Sequence, residues 1–67
     1  MEFRLQFNMD NSAFQEEGQD FNDAEVDRIL SDIKYKIKEG EIYETIRDLN
    51  GNTIGQWSIE NRYRTSL

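Results

Sequence analysis

The residues of this chain that could do chemistry are carboxylates and their amide neighbours. Asp48-Leu49-Asn50-Gly51-Asn52-Thr53 places oxygen ligands at the first, third and fifth positions of a calcium loop. The glycine needed at the sixth position is Thr53, however, and the bidentate glutamate needed at the twelfth is Ile59. The segment therefore reads as a hairpin turn rather than a cation site. A second concentration of carboxylates occupies residues 10–27. It holds seven acids (Asp10, Glu16, Glu17, Asp20, Asp23, Glu25 and Asp27) and no base. Such groups can bind a hard cation such as Mg²⁺, or act in pairs as general acid and base. Nothing in their spacing makes them converge, and a domain of this size has little cleft in which to raise a carboxyl pKa. Ser12, Ser31, Thr45, Ser58 and Ser66 have no histidine to activate them, and the four glycines are too scattered to cradle a phosphate. Binding is the expected business of this chain, not catalysis, and no cofactor or metal is expected.

The composition narrows the field further. The chain has 67 residues, enough for one small domain. It contains no Cys, His or Pro. Disulfides, thiolate or imidazole metal centres, and cysteine or histidine catalysis are excluded. A core this small is marginal alone, which favours a partner or a second copy. Fourteen acids against eight bases leave a net charge of −6, unevenly spread. Residues 1–33 carry nine acids and two bases, whereas residues 34–67 carry five acids and six bases. That balance opposes direct binding to nucleic acid or to an anionic membrane and suits a basic protein partner. No apolar run exceeds two residues, so no membrane span and no signal-peptide core are expected. The absence of cysteine fits a cytoplasmic protein.

The elements that must position these groups are legible from periodicity. Residues 2–8 alternate, with Phe3, Leu5 and Phe7 on one side of a half-buried strand. Residues 10–20 have no steady period and read as a loop, with Phe14 and then Phe21 as its apolar pins. Asn22 is a good N-cap, and Glu25 stands three residues on, as in a capping box. Val26, Ile29, Leu30, Ile33 and Ile37 form an apolar stripe, expected to be core. Acids open this helix and Lys34, Lys36 and Lys38 close it, matching its dipole. With Gly40 as the residue after its end, the spacing predicts a helix over about 23–39.

Residues 42–47 and 53–59 flank Asp48-Leu49-Asn50-Gly51 and read as a hairpin. Two turns fit. A type I turn with a glycine bulge, the slightly better fit, puts Ile54 on the face of Ile42 and Ile46. A type I′ turn at Asn50-Gly51 puts Trp57 and Ile59 there instead, because one residue of register reverses every side chain. The expected fold is α+β: a single β-α-β-β domain over residues 1–60 with a frayed tail over 61–67. One helix covers one face of a three-stranded antiparallel-type sheet of order 1-3-2. The other face has no second layer, and some of Tyr43, Trp57, Ile59 and Tyr63 are expected to face outwards.

A resemblance attaches to particular residues. These are Met9-Asp10-Asn11-Ser12-Ala13-Phe14 after the first strand and Val26-Asp27-Arg28-Ile29-Leu30 in the helix. The last is Ile46-Arg47-Asp48-Leu49-Asn50-Gly51-Asn52-Thr53-Ile54-Gly55-Gln56-Trp57 in the hairpin. Over residues 1–59 the chain resembles small uncharacterised proteins of bacteriophages and prophages. The resemblance implies a bacterial or viral cytoplasmic setting and action on a host machine, and carries no site residues with it.

Two candidate surfaces follow. Glu16, Glu17, Asp20, Asp23 and Asp27 would imitate a row of phosphates and occupy the basic groove of a host nucleic-acid-handling or defence protein. Tyr43 and Trp57 would form an aromatic patch on the open sheet face, unless Trp57 is simply core beneath the helix. Open strand edges also favour a homodimer, and with it an accessory or structural phage role without inhibition.

Overall fold

The structure, a computed structural model, describes residues 1–61 apart from 16 and 19. The chain runs through β1 (Glu2–Phe7), one turn of 3-10 helix (Ser12–Phe14), α1 (Asp23–Lys38), β2 (Tyr43–Arg47) and β3 (Thr53–Glu60). The sheet order is β1-β3-β2, and β3 is antiparallel to both neighbours. β1 and β2 are therefore parallel to each other, and α1 is the crossover between them. This is the β-α-β-β arrangement and strand order read from the sequence.

Local signals set the helix ends. The Asn22 side-chain oxygen accepts from the backbone N–H groups of Ala24 and Glu25 at 3.1 and 3.3 Å. At the other end Gly40 takes φ +96°. Its N–H donates to Ile37 O at 3.0 Å and that of Glu41 to Lys36 O at 3.1 Å, which satisfies the last carbonyls in a Schellman arrangement. The reciprocal half of the expected capping box does not form. The Asn22 N–H donates instead to Phe14 O at 2.7 Å, and the Glu25 carboxylate turns inward.

The hairpin uses one bulge more than the sequence reading allowed. Gly51 N–H donates to Asp48 O at 3.0 Å, Asp48 N–H donates to Asn52 O at 2.9 Å, and Gly51 has φ +89°. That is the bulged turn, and Arg47 duly pairs with Thr53. One step further Ile46 pairs with Gly55, so Ile54 is an additional unpaired residue in β3. From there on the register is the one the tighter turn would have produced. Glu44 lies opposite Trp57, and Tyr43 opposite Ser58.

This second shift decides which side chains are core. Residues directly opposite each other share a face. Phe3, Leu5 and Phe7 lie opposite Ile59, Trp57 and Gly55, so they share the inner face with Ile46. The fully buried apolar residues are Ala13, Phe14, Ile29, Ile33, Ile46 and Trp57, with Ile54 and Ile59 half-buried against them. Two expectations are corrected. Leu30, part of the predicted stripe, is 45% exposed, and Phe21 does not pin the loop, at 41% exposed. Phe14 alone does that, stacked on Phe7 with ring centroids 6.0 Å apart.

At Gly55, opposite Phe7, β3 has no room for a side chain against β1. A β-carbon there would lie 2.0 Å from the Gln6 carbonyl oxygen and 2.5 Å from Phe7 Cα, distances that only a backbone shift could relieve. Gly55→Ala is expected to lower stability by at least about 2 kcal/mol. Trp57→Ala is expected to cost about 3–5 kcal/mol, and Tyr43→Ala, exposed on the opposite face, no more than about 0.5 kcal/mol. Urea unfolding followed by circular dichroism checks all three, and a Gly55→Ala protein as stable as its parent would refute the close strand approach.

Candidate functional site

The residues expected to bind a partner divide between surface and interior. The loop between β1 and α1 is fastened by asparagines. The Asn8 side chain accepts from Asp10 N–H at 2.7 Å, and that of Asn11 accepts from Ala13 N–H at 3.1 Å. The Asn22 amide donates to Ala13 O at 3.4 Å. With Phe14 turned inward and these amides holding the backbone, Asp10, Glu17 and Asp20 are left on the surface. Asp23 and Asp27 follow in the first two turns of α1, also exposed. They stand four residues apart on one helix flank, a like-charge spacing that weakens a helix. None of these five acids is in an ion pair with a described basic residue. The helix lysines lie at its far end; at 1.5 Å per residue Lys36 is roughly 20 Å along the axis from Asp23. Among the described residues no three acidic groups converge closely enough to hold a metal ion. Glu16, expected in this set, lies outside the described residues.

Glu25 belongs to the same run of acids by sequence but not by position. It is buried, and Arg28 grips it with both arms of its guanidinium, Nε to Oε1 at 2.9 Å and Nη2 to Oε2 at 2.7 Å. The same Nη2 donates to Arg47 O at 3.1 Å, which ties the first turns of α1 to the end of β2. Next to this pair lies Asp48, also buried. Its Oδ1 accepts from the N–H groups of Asn50 and Asn52, each at 2.9 Å, and its Oδ2 from the side-chain amides of Asn11 and Asn52. The residue that opened the apparent calcium loop is thus filled by amide donors and joins the loop before α1 to its own turn. The asparagines at its third and fifth positions serve it as donors rather than as cation ligands.

The pKa directions follow from these contacts. The hydrogen bonds from Arg28, partly opposed by burial and reinforced by its charge, hold the Glu25 carboxyl below its ordinary value. Burial alone would raise Asp48, but the donors from Asn52, Asn50 and Asn11 outweigh it and its pKa is lowered. Glu41 moves the other way, raised by its hydrogen bond to Glu44 and by the repulsion between the two carboxylates.

The two aromatic candidates do not form one patch. Tyr43 is exposed on the outer face beside Thr45 and Ser58. Trp57 lies on the inner face at 1% exposure, with the Phe3 ring 6.3 Å away. Ile59 also faces inward, and Tyr63 lies outside the described residues. Apart from Tyr43 the outer face is polar, built from Glu2, Arg4, Gln6, Gln56, Ser58 and Thr45. Sequence reasoning missed the Glu25–Arg28–Asp48 group, although Glu25 precedes Ile29 and Ile33 by one and two helical repeats of four. That spacing places its side chain on the buried face.

Comparison with known proteins adds no relative. The chain matches no protein-family model, no curated protein and no solved structure. No described helix is long and apolar enough to cross a membrane.

The lowered carboxyls carry a pH prediction. A group whose pKa falls on folding contributes stability that is present above its unfolded value and is lost as pH drops through its folded value. For Glu25 and Asp48 the ordinary values are 4.5 and 3.8. The urea midpoint should therefore fall steadily below about pH 4.5. Asp48→Asn should be less stable than the parent at neutral pH, and the gap should narrow in acid, where the parent has lost the charge that its donors hold. An equal gap across the range would show that Asp48 acts only by shape.

Proposed function

We propose that this chain is a protein-binding module whose acidic end docks on a basic protein surface of the kind that otherwise holds nucleic acid. One observation carries the reading. Glu17, Asp20, Asp23 and Asp27 stay exposed and form no ion pair among the described residues, while the acids not needed for such a surface, Glu25 and Asp48, are consumed inside the fold. Asp23 and Asp27 also repel one another within the helix, and a charge pattern that weakens its own element is better accounted for by a partner than by solubility. The first-turn position of Asp23 does give it a favourable helix dipole, but Asp27, Asp20 and Glu17 gain less or nothing from that source. The resemblance to phage and prophage proteins supplies a setting, the cytoplasm of a bacterial host, and a purpose, the blocking of a host nucleic-acid-handling or defence protein. Association would be fast, steered by charge and weakened by salt.

A second reading is favoured by a different observation. β1 is an open sheet edge whose inner face keeps Phe3 and Leu5 substantially exposed, at 53% and 36%. Such an edge suits a self-associating accessory protein.

The acidic reading is tested by capture from bacterial lysate on the tagged chain. The expected capture is a basic protein that is released at about 0.3 M salt and also by added duplex DNA. The triple variant Asp20→Asn, Asp23→Asn, Asp27→Asn should retain it at least about tenfold less. Undiminished capture by that variant would end the mimicry proposal.

A further inference from the structure

The two sheet edges are built differently. β2 is guarded by charge: Glu44 on its inner face is approached by Lys36 at 3.9 Å, and the carbonyl of Arg47 is covered by Arg28. Charges of this kind are how natural sheets protect an edge. Among the described residues, no side chain from another element covers the outer edge of β1, whose own charges are Glu2 and Arg4. Asn8 N–H donates to Ile54 O at 2.9 Å, so the even residues of β1 turn their backbone groups towards β3. The backbone groups of alternate residues point to alternate sides of a strand. Those of Phe3, Leu5 and Phe7 therefore point away from the sheet. The inner face beside them is apolar and open, with Met1 at 73%, Phe3 at 53% and Leu5 at 36% exposure. Leu30, 45% exposed, lies two residues beyond Arg28, about 200° around the helix, on the flank remote from β2.

We infer that β1 is the interface for a second copy of the same chain, paired antiparallel about a two-fold axis through Phe3. This rests on the self-association reading and names its surface. The register is chosen by charge. Three two-fold registers centre on the exposed stretch from Phe3 to Leu5 and keep the apolar face continuous. An axis at Arg4 sets Arg4 against Arg4 of the other copy. An axis at Leu5 sets Arg4 against Gln6 and Glu2 against Asn8, with no pair of opposite charges. An axis at Phe3 sets Glu2 against Arg4 twice, Phe3 against Phe3, and Met1 against Leu5, so the three exposed apolar residues of one strand meet those of the other. Glu2 and Arg4 already interact within the strand at 3.4 Å. Across the axis they would occupy a non-hydrogen-bonded pair, the closer of the two kinds.

Net charge does not oppose this arrangement. Antiparallel pairing sends the two acidic loops to opposite ends of the joined sheet. From Phe3 to Asn8 a strand advances about 17 Å, so the two loops stand roughly 30 Å apart, several screening lengths at physiological salt. Five residues a side are far fewer than a permanent interface uses, so the dimer is weak, with Kd of about 10 µM or above.

Sedimentation velocity over a concentration series, up to about 1 mM, tests the inference. Four samples are compared: the parent, Glu2→Arg, Arg4→Glu, and an equal mixture of the two variants, each checked for folding by circular dichroism. Each variant alone should associate roughly tenfold or more weakly than the parent, because like charges then oppose in both cross-strand pairs. The mixture should recover parental affinity, because an all-Arg strand then meets an all-Glu strand. A parent dimer that neither variant weakens, or variants that the mixture does not rescue, would overturn this register while leaving self-association standing. A parent that stays monomeric throughout would overturn both.

Discussion

The register of β3 is the constraint on which the rest of the structure depends, and one residue controls it. With Ile54 unpaired, Trp57 turns beneath α1 and becomes the centre of the core. Without that extra residue the bulged turn at Asp48–Gly51 would leave Trp57 on the outer face and bring Gln56 and Ser58 inside. The bulge also explains Gly55. The strand is pushed against β1 there, and the space a β-carbon would need is filled by the backbone of Gln6 and Phe7. A bulge, a glycine and a tryptophan three residues apart thus form one device. In a domain with so few buried residues, a reversed register would leave too little apolar area to hold the fold.

A polar interior complements that apolar core. Asp48 collects donors from the loop before α1 and from its own turn, and Glu25 with Arg28 links α1 to β2. These groups sit where three chain segments meet and where the small core does not reach. Buried charges are costly unless every lone pair is matched, and here each carboxylate oxygen has a donor. The arrangement sorts the acids by role. Two near the helix start and the hairpin turn are structural, and the exposed ones around them stay on the surface.

Most of the fold was legible because its signals are local. Alternation at Phe3, Leu5 and Phe7, the Asn22 cap, the apolar helical repeat and Gly40 each act within a few residues, and each corresponds to an observed element. What escaped was non-local. The bulge at Ile54 is marked in the sequence only by Gly55 beside it, a glycine inside a strand, because a β-branched residue at 54 fits a regular strand equally well. Glu25 looked like a capping-box residue because its spacing from Asn22 is correct, but Arg28 and the hairpin compete for it and win. Leu30 fits the helical stripe, yet the sheet is only three strands wide and does not reach beneath it. Of the candidate surfaces, the acidic positions were legible one by one, whereas separating Tyr43 from Trp57 required the register.

The acidic end and the β1 edge occupy different parts of the molecule, and their separation has a consequence. The acids cluster after β1 ends, whereas the two-fold through Phe3 lies near its beginning. A dimer formed there would present two acidic ends facing apart, each free to meet a basic surface. Linking two weak sites in this way raises apparent affinity only when a partner offers two matching sites at the right span. A partner that normally follows the backbone of a long nucleic acid has repeated basic surface and meets that condition; a compact basic protein with one groove does not. The geometry therefore joins the two readings: self-association through a short apolar edge would favour extended or repeated nucleic-acid-binding partners over single-site ones, without adding any new contact.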